Sequence, residues 1–150
     1  MSSLRPVTHP GLLFVRKTST RNLKRKAWVA CSRYVRSRAA DSHGIAQCFT
    51  CGQSAHWKAL QAGHAIPGRH NRVLFDLELI RPQCYRCNVP LRGRLHLFAA
   101  RLIKENGLAW WERKEFESRG TLKLIRQDYL DLINRFTKAS TGSNILTASQ

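Results

Sequence analysis

Cys48-Phe49-Thr50-Cys51-Gly52, Gly63-His64 and Cys84-Tyr85-Arg86-Cys87-Asn88 are three pieces of one stretch, residues 48–88, whose reading decides the fold. Each Cys-x2-Cys pair is a tight turn that aims two sulfurs at one point. Two such knuckles therefore offer Cys48, Cys51, Cys84 and Cys87 to a single tetrahedral Zn²⁺. Four thiolates close the coordination sphere, so the zinc is expected to hold the fold and not to meet a substrate. Chemistry, if there is any, belongs between the knuckles, where His64, His70, Asp76 and Glu78 stand, and at Asn88, which directly follows the last cysteine.

Working outward, the 150-residue chain is long enough for one core and too short for two independent ones. It has no apolar run near the ~18 residues a membrane span needs, and its beginning lacks the apolar stretch of an export signal. A cytosolic protein is expected, and in that reducing setting paired cysteines read as metal ligands; the fifth, Cys31, reads as a packing thiol on a helix. The net charge of +17 and pI near 10.9 exceed what solubility requires and favour a polyanionic partner, nucleic acid by default. Residues 1–47 hold ten Lys or Arg against Asp41 alone, whereas residues 94–150 hold ten against six acids, so the front half is the expected footprint.

Residues 1–22, with Pro6, Pro10 and Gly11, read as a flexible basic arm. From about Leu23 to Ala40, Ala27, Trp28, Cys31, Tyr34 and Val35 recur at helical spacing, with Arg25, Lys26, Arg33, Arg36 and Arg38 over much of the remaining surface, a helix suited to lie along a phosphate backbone. Gly44 is expected as its left-handed cap. Ala55–Leu60 and Val73–Ile80 read as the two strands of a hairpin around a turn-rich loop. In that loop Arg69 and Arg72 are candidates to clamp phosphate. The second knuckle should open a helix with Pro90 in its first turn. Leu95, Phe98, Ala99, Leu102 and Ile103 give a helix over 94–106 stopped at Asn106-Gly107, Trp110, Trp111 and Phe116 read as core or lid, and a last helix is expected over about 121–138 with Leu122 and Ile125 on its apolar side. One domain over 23–139 follows, with a zinc-bound core over about 45–106 and a loose tail at 140–150.

The run from Ala27 to Gly93 resembles the phage NinG (Rap) recombination nucleases. The resemblance rests on Ser32-Arg33-Tyr34-Val35-Arg36-Ser37-Arg38, His43-Gly44, both knuckles, Gly63-His64, Phe75-Asp76, Gln83, Asn88 and Gly93. The Cys-Asn pair with a downstream glycine is also similar to the phage endonuclease VII group. The resemblance implies an α+β fold, a zinc-stabilised treble-clef ββα-metal core of the HNH type flanked by helices at both ends. It implies a DNA endonuclease of phage or prophage recombination that cuts branched DNA (a Holliday junction or D-loop) or single-strand-containing DNA, leaves 5′-phosphate ends and works in the cytoplasm of a bacterial host. His64 would be the general base, and Asn88 would hold a catalytic Mg²⁺ or Mn²⁺ beside the structural Zn²⁺, with Asp76, Glu78 or His70, or water and the DNA itself, completing that ion's sphere. Gly63 stands where relatives place an Asp or His, and Leu79 and Arg81 stand where the HNH pattern has Asn and NinG proteins often have His.

Those departures suit a second reading, a zinc-stabilised DNA-binding recombination module that does not cut. A third, an RNA-binding zinc ribbon, fits charge and cysteines but gives no reason for Gly63-His64 or Cys87-Asn88. Cutting both strands of a junction suits a symmetric pair of subunits, so a homodimer is expected, with recombination proteins as further partners and no membrane.

Overall fold

The computed structural model describes residues 18–142. Residues 1–17 of the expected arm and 143–150 of the expected tail lie outside the described residues. Helix α1 spans Thr20–Arg38, with the Ser19 side chain accepting the Asn22 N–H as N-cap. It buries Leu23, Ala27, Cys31 and Val35, a stripe at the spacing the sequence presents. Its end is not closed by Gly44. Ala39 ends the helix, and Gly44 (φ +77°) instead closes a turn in which the Asp41 carboxylate accepts the His43 and Ile45 N–H groups.

That turn starts an antiparallel hairpin of β1 (Ile45–Gln47) and β2 (Ser54–His56), and the first knuckle is its tip: Cys48 N–H donates to Gln53 O and Gly52 N–H to Cys48 O. A 3-10 turn over Trp57–Ala59 leads to β3 (Gln61–His64), which pairs antiparallel with β4 (Ile80–Gln83), His64 opposite Ile80 and Gln61 opposite Gln83. The expected strands over 55–60 and 73–80 are thus displaced. The first is split by the 3-10 turn, so its front pairs with β1. The second begins as a helical turn, α2 (Asn71–Leu74), followed by a bend in which Asp76 Oδ1 accepts the Glu78 N–H. Competing side-chain-to-backbone bonds of this kind end a strand.

The second knuckle runs from the end of β4 into α3 (Tyr85–Asn88), a single turn with Cys84 at its N-cap. Pro90 follows this turn and is not inside a longer helix: α3 closes at Val89, whose N–H donates to Tyr85 O. The chain then passes three residues with left-handed backbone, Arg92 (φ +49°), Gly93 (φ +81°) and Arg94 (φ +46°), before α4 (Leu95–Asn106). A non-glycine residue held there costs of order 1–3 kcal/mol. The segment is held by Arg92 N–H to Val89 O, Arg94 N–H to Leu91 O, and the Gln83 carboxamide donating to Gly93 O at 2.8 Å.

Gly107 (φ +92°) ends α4 and starts α5 (Leu108–Ser118), a helix the aromatic spacing does not reveal. Trp111 is buried with Trp110 packed beside it, but Phe116 is 76% exposed and is neither core nor lid. Helix α6 spans Arg126–Gly142, not 121–138, because the Asp128 carboxylate accepts the Ile125 N–H at 2.7 Å and sets the first turn. Leu122 and Ile125 precede it and are exposed, and Ser140 belongs to the helix and not to a loose tail.

The architecture is α+β with two small sheets. One core gathers Ala65, Val73, Leu79, Phe98, Leu102 and Trp111 beneath the β3–β4 loop; a second gathers Cys31, Val35, Ala62, Ile80 and Phe136 between α1, α6 and the hairpin. Burying side chains such as Phe98 and Leu102 stabilises by about 1.5–3 kcal/mol each, enough to fix a twelve-residue helix that would be marginal alone. Among the described residues no helix is long and apolar enough to cross a membrane.

Candidate functional site

The sulfurs of Cys48, Cys51, Cys84 and Cys87 all lie within 4.8 Å of one another. A tetrahedron of Zn–S bonds of about 2.3 Å puts its sulfurs about 3.8 Å apart. Cys51 Sγ and Cys84 Sγ are 3.8 Å apart, so the donor set fits a zinc ion. Cys48 and Cys87 are buried and Cys51 is exposed. Burial pushes the Cys48 thiol up, but the Thr50 hydroxyl and the Cys84, Cys51 and Thr50 N–H groups outweigh it and hold the thiol down at about 6. Burial first, then its sulfur neighbours, push Cys84 up to about 12. Bound zinc would keep all four thiols ionised. Among the described residues this is the one group that brings three or more Cys, His, Asp or Glu donors together.

His64 is the last residue of β3, at the opposite end of the hairpin from the sulfurs. Its ring stacks on Trp28 of α1 with centroids 4.9 Å apart and an interplanar angle of 28°, and its Nε2 is 3.3 Å from Leu74 O. A carbonyl only accepts, so Nε2 carries the hydrogen and Nδ1 keeps the lone pair. Burial, with Arg69 nearby, lowers the imidazole pKa below its usual value, against the Leu74 bond that raises it. A cavity of about 410 Å³ opens beside the ring, and Asn88, Arg69 and Arg92 also line it. Asn88 Nδ2 donates to Gln61 Oε1 at 2.7 Å, which fixes the amide at the start of β3. No acidic residue lines this cavity.

The other candidates lie elsewhere. Asp76 Oδ2 is 3.0 Å from Lys114 Nζ, and Glu78 forms a closer ion pair with the same ammonium, so both carboxylates join α5 to the bend before β4 and neither faces His64. These partners hold the Glu78 carboxyl below its usual range and raise Lys114, despite the burial of the ammonium. His70 is the N-cap residue of α2 and is exposed. Leu79 stands where the HNH pattern has Asn. Its side chain is buried in the core, and the Arg81 guanidinium donates to Leu77, Glu78 and Ile80 carbonyls.

Gly63 has a local cause. A Cβ there would lie 1.9 Å from Gln83 Oε1, so the buried carboxamide of Gln83 requires glycine at this position. Gln83 Nε2 in turn donates to Thr50 Oγ1, which is 3.4 Å from Cys48 Sγ, and to Gly93 O. Of the expected DNA contacts, Arg25, Lys26 and Arg33 line a groove of about 580 Å³ between α1 and α6. Arg38 packs over Tyr34 and donates to its hydroxyl. Arg36 and Arg72 serve the fold: Arg36 donates to Leu60 O at 2.9 Å and Arg72 to Glu117 O at 3.1 Å. Sequence reasoning missed Trp28 as a wall of the site, Arg92, and Lys114. Their only signal is spatial, since each comes from a different element.

The family model of the bacteriophage lambda NinG protein matches residues 15–142. The chain belongs to the NinG family. That membership implies a phage recombination-related role. No curated protein and no solved structure matches the chain.

Proposed function

We propose that this NinG-family chain is a DNA endonuclease acting on branched or single-strand-containing recombination intermediates, with His64 as the general base. The observation that carries the reading is the setting of His64. Its ring is held by Trp28 and the Leu74 carbonyl, its Nδ1 is free to accept a proton, and it borders a cationic cavity shared with Asn88. Attack by water on a phosphodiester requires a neutral base within hydrogen-bond reach, and the lowered pKa keeps the imidazole neutral at cellular pH. Knuckle, hairpin, second knuckle and helix follow one another as in a treble-clef ββα-metal unit of the HNH type, and the zinc at Cys48, Cys51, Cys84 and Cys87 is its structural ion.

The expected catalytic Mg²⁺ or Mn²⁺ does not fit as a resident ion. Such a hard cation seeks carboxylate or phosphate oxygens, whereas the cavity offers the Asn88 amide, an imidazole and two guanidinium groups. Asp76 and Glu78 are engaged by Lys114. The same facts favour the second reading, a DNA-binding recombination module without cleavage. A nicking assay on a four-way junction and a D-loop, with Mg²⁺ and with Mn²⁺, separates the two. The endonuclease reading expects cleavage that falls about 10²–10⁴-fold in His64→Ala while junction binding persists. Wild-type protein that binds the junction and never cuts it under either metal leaves the binding module.

A further inference from the structure

The mismatch between the cavity and a cation points to an anion. Arg69 and Arg92 come from different segments, the loop after β3 and the turn before α4, and they line the same space beside His64 and Asn88. Among the described residues neither guanidinium has an acidic partner, whereas the most buried ammonium, Lys114, has three. Arg72, the sequence's other candidate for a phosphate clamp, donates to Glu117 O and lines a different surface. Arg92 also sits where the backbone is strained: it and Arg94 take left-handed φ of +49° and +46° around Gly93. Gln83 holds that turn from beneath, with the same carboxamide that meets Thr50 of the first knuckle. Left-handed backbone at non-glycine residues clusters at active sites and ligand clamps. The cavity, about 410 Å³, falls within the roughly 300–1,000 Å³ of ligand clefts.

We propose that Arg69 and Arg92 form a two-guanidinium seat for a phosphodiester oxyanion beside His64, a seat that fills without a divalent cation and to which the cation comes only together with the phosphodiester. Guanidinium groups bind phosphate oxygens through charge-assisted, forked hydrogen bonds, and a bound anion supplies the hard oxygens that the cavity lacks for a cation. The proposal rests on the reading of this cavity as the phosphodiester site and adds Arg92 and the order of binding.

The test uses the zinc-loaded full chain at low salt, in buffer freed of other divalent ions, with dimethyl phosphate as probe and the His64 ring and Asn88 amide NMR signals as readout. Dimethyl phosphate should shift both signals saturably with no metal added. Arg92→Gly should weaken that binding roughly tenfold while the melting temperature stays at or above wild type, because glycine adopts the left-handed backbone freely. Arg72→Ala should bind like wild type. Mn²⁺ should broaden the two signals only after dimethyl phosphate is present. Broadening by Mn²⁺ alone, or undiminished dimethyl phosphate binding in Arg92→Gly, would overturn the proposal. Cleavage plays no part in this readout: a protein that never cuts but keeps the seat loses the nuclease reading alone, and a protein that cuts through a resident Mn²⁺ loses the seat alone.

Discussion

The two ends of the β3–β4 hairpin are built on opposite principles. At the Gln83 end, four sulfurs converge within 4.8 Å, two of them buried, around a point that suits one cation. Along the cavity beside His64, an imidazole, two guanidinium groups and, toward the start of β3, the Asn88 amide surround open space with no acid among them. One end is complete once its ion is bound, and the other carries positive charge with no acidic side chain beside it. Gln83 links the two, reaching Thr50 beside the Cys48 sulfur on one side and the Arg92–Arg94 turn on the other.

The contrast can be broken most forcefully at the sulfur end. Cys84→Ser should lose zinc and, with it, the folded state, since the metal's binding energy in small zinc domains, about 10–16 kcal/mol, is as large as the ~5–15 kcal/mol by which domains are stable. Zinc content by a colorimetric chelator and far-UV circular dichroism check this; full zinc and an unchanged melt would remove the metal from the account. A smaller effect is expected midway along the hairpin. Gly63→Ala puts a methyl group into the Gln83 carboxamide and should cost about 1–3 kcal/mol in urea unfolding while zinc is retained. A neutral outcome there would mean that Gln83 does not bind the two ends together.

The smallest and sharpest effect lies at the His64 end and concerns pH. The folded imidazole pKa is depressed below the unfolded value of about 6.5, so the unfolded chain takes up a proton first as pH falls. This contribution to stability is therefore fully present above about pH 6.5 and declines below it. The stability difference between wild type and His64→Ala should shrink on going from pH 7.5 to 5.5, and the acid limb of a kcat/KM profile for cleavage, which reports the free protein, should lie below pH 6.5. A limb above 6.5 would mean that the ring is not held as described.

How far the sequence reveals these two ends differs for the same reason. The sulfur end is local: Cys-x2-Cys turns carry their own geometry, so all four ligands are readable from spacing. Cys31 is equally plain as a packing thiol, buried and pushed up to about 12 by burial. The α1 stripe and α4 are legible because helical periodicity is a local property. The His64 end is assembled from α1, β3, the following loop and the turn before α4, and tertiary packing alone decides that Trp28 and Arg92 meet the ring's surroundings while Asp76 does not. Acidic residues near the motif suggest metal ligands, but Lys114, distant in sequence, claims both Asp76 and Glu78. Strand boundaries slip for a similar reason, since Trp57–Ala59 and Asn71–Leu74 turn where apolar composition alone reads as extended chain.

The most direct measurement is a crystal structure of the His64→Ala protein bound to an uncut four-way junction with Mn²⁺, with anomalous maps recorded to tell zinc from manganese. The account predicts zinc among the four sulfurs, a backbone phosphate between Arg69 and Arg92, and manganese on that phosphate beside Asn88. Manganese held by Asp76 and Glu78 with Lys114 displaced, or a junction that leaves this cavity empty, would contradict it.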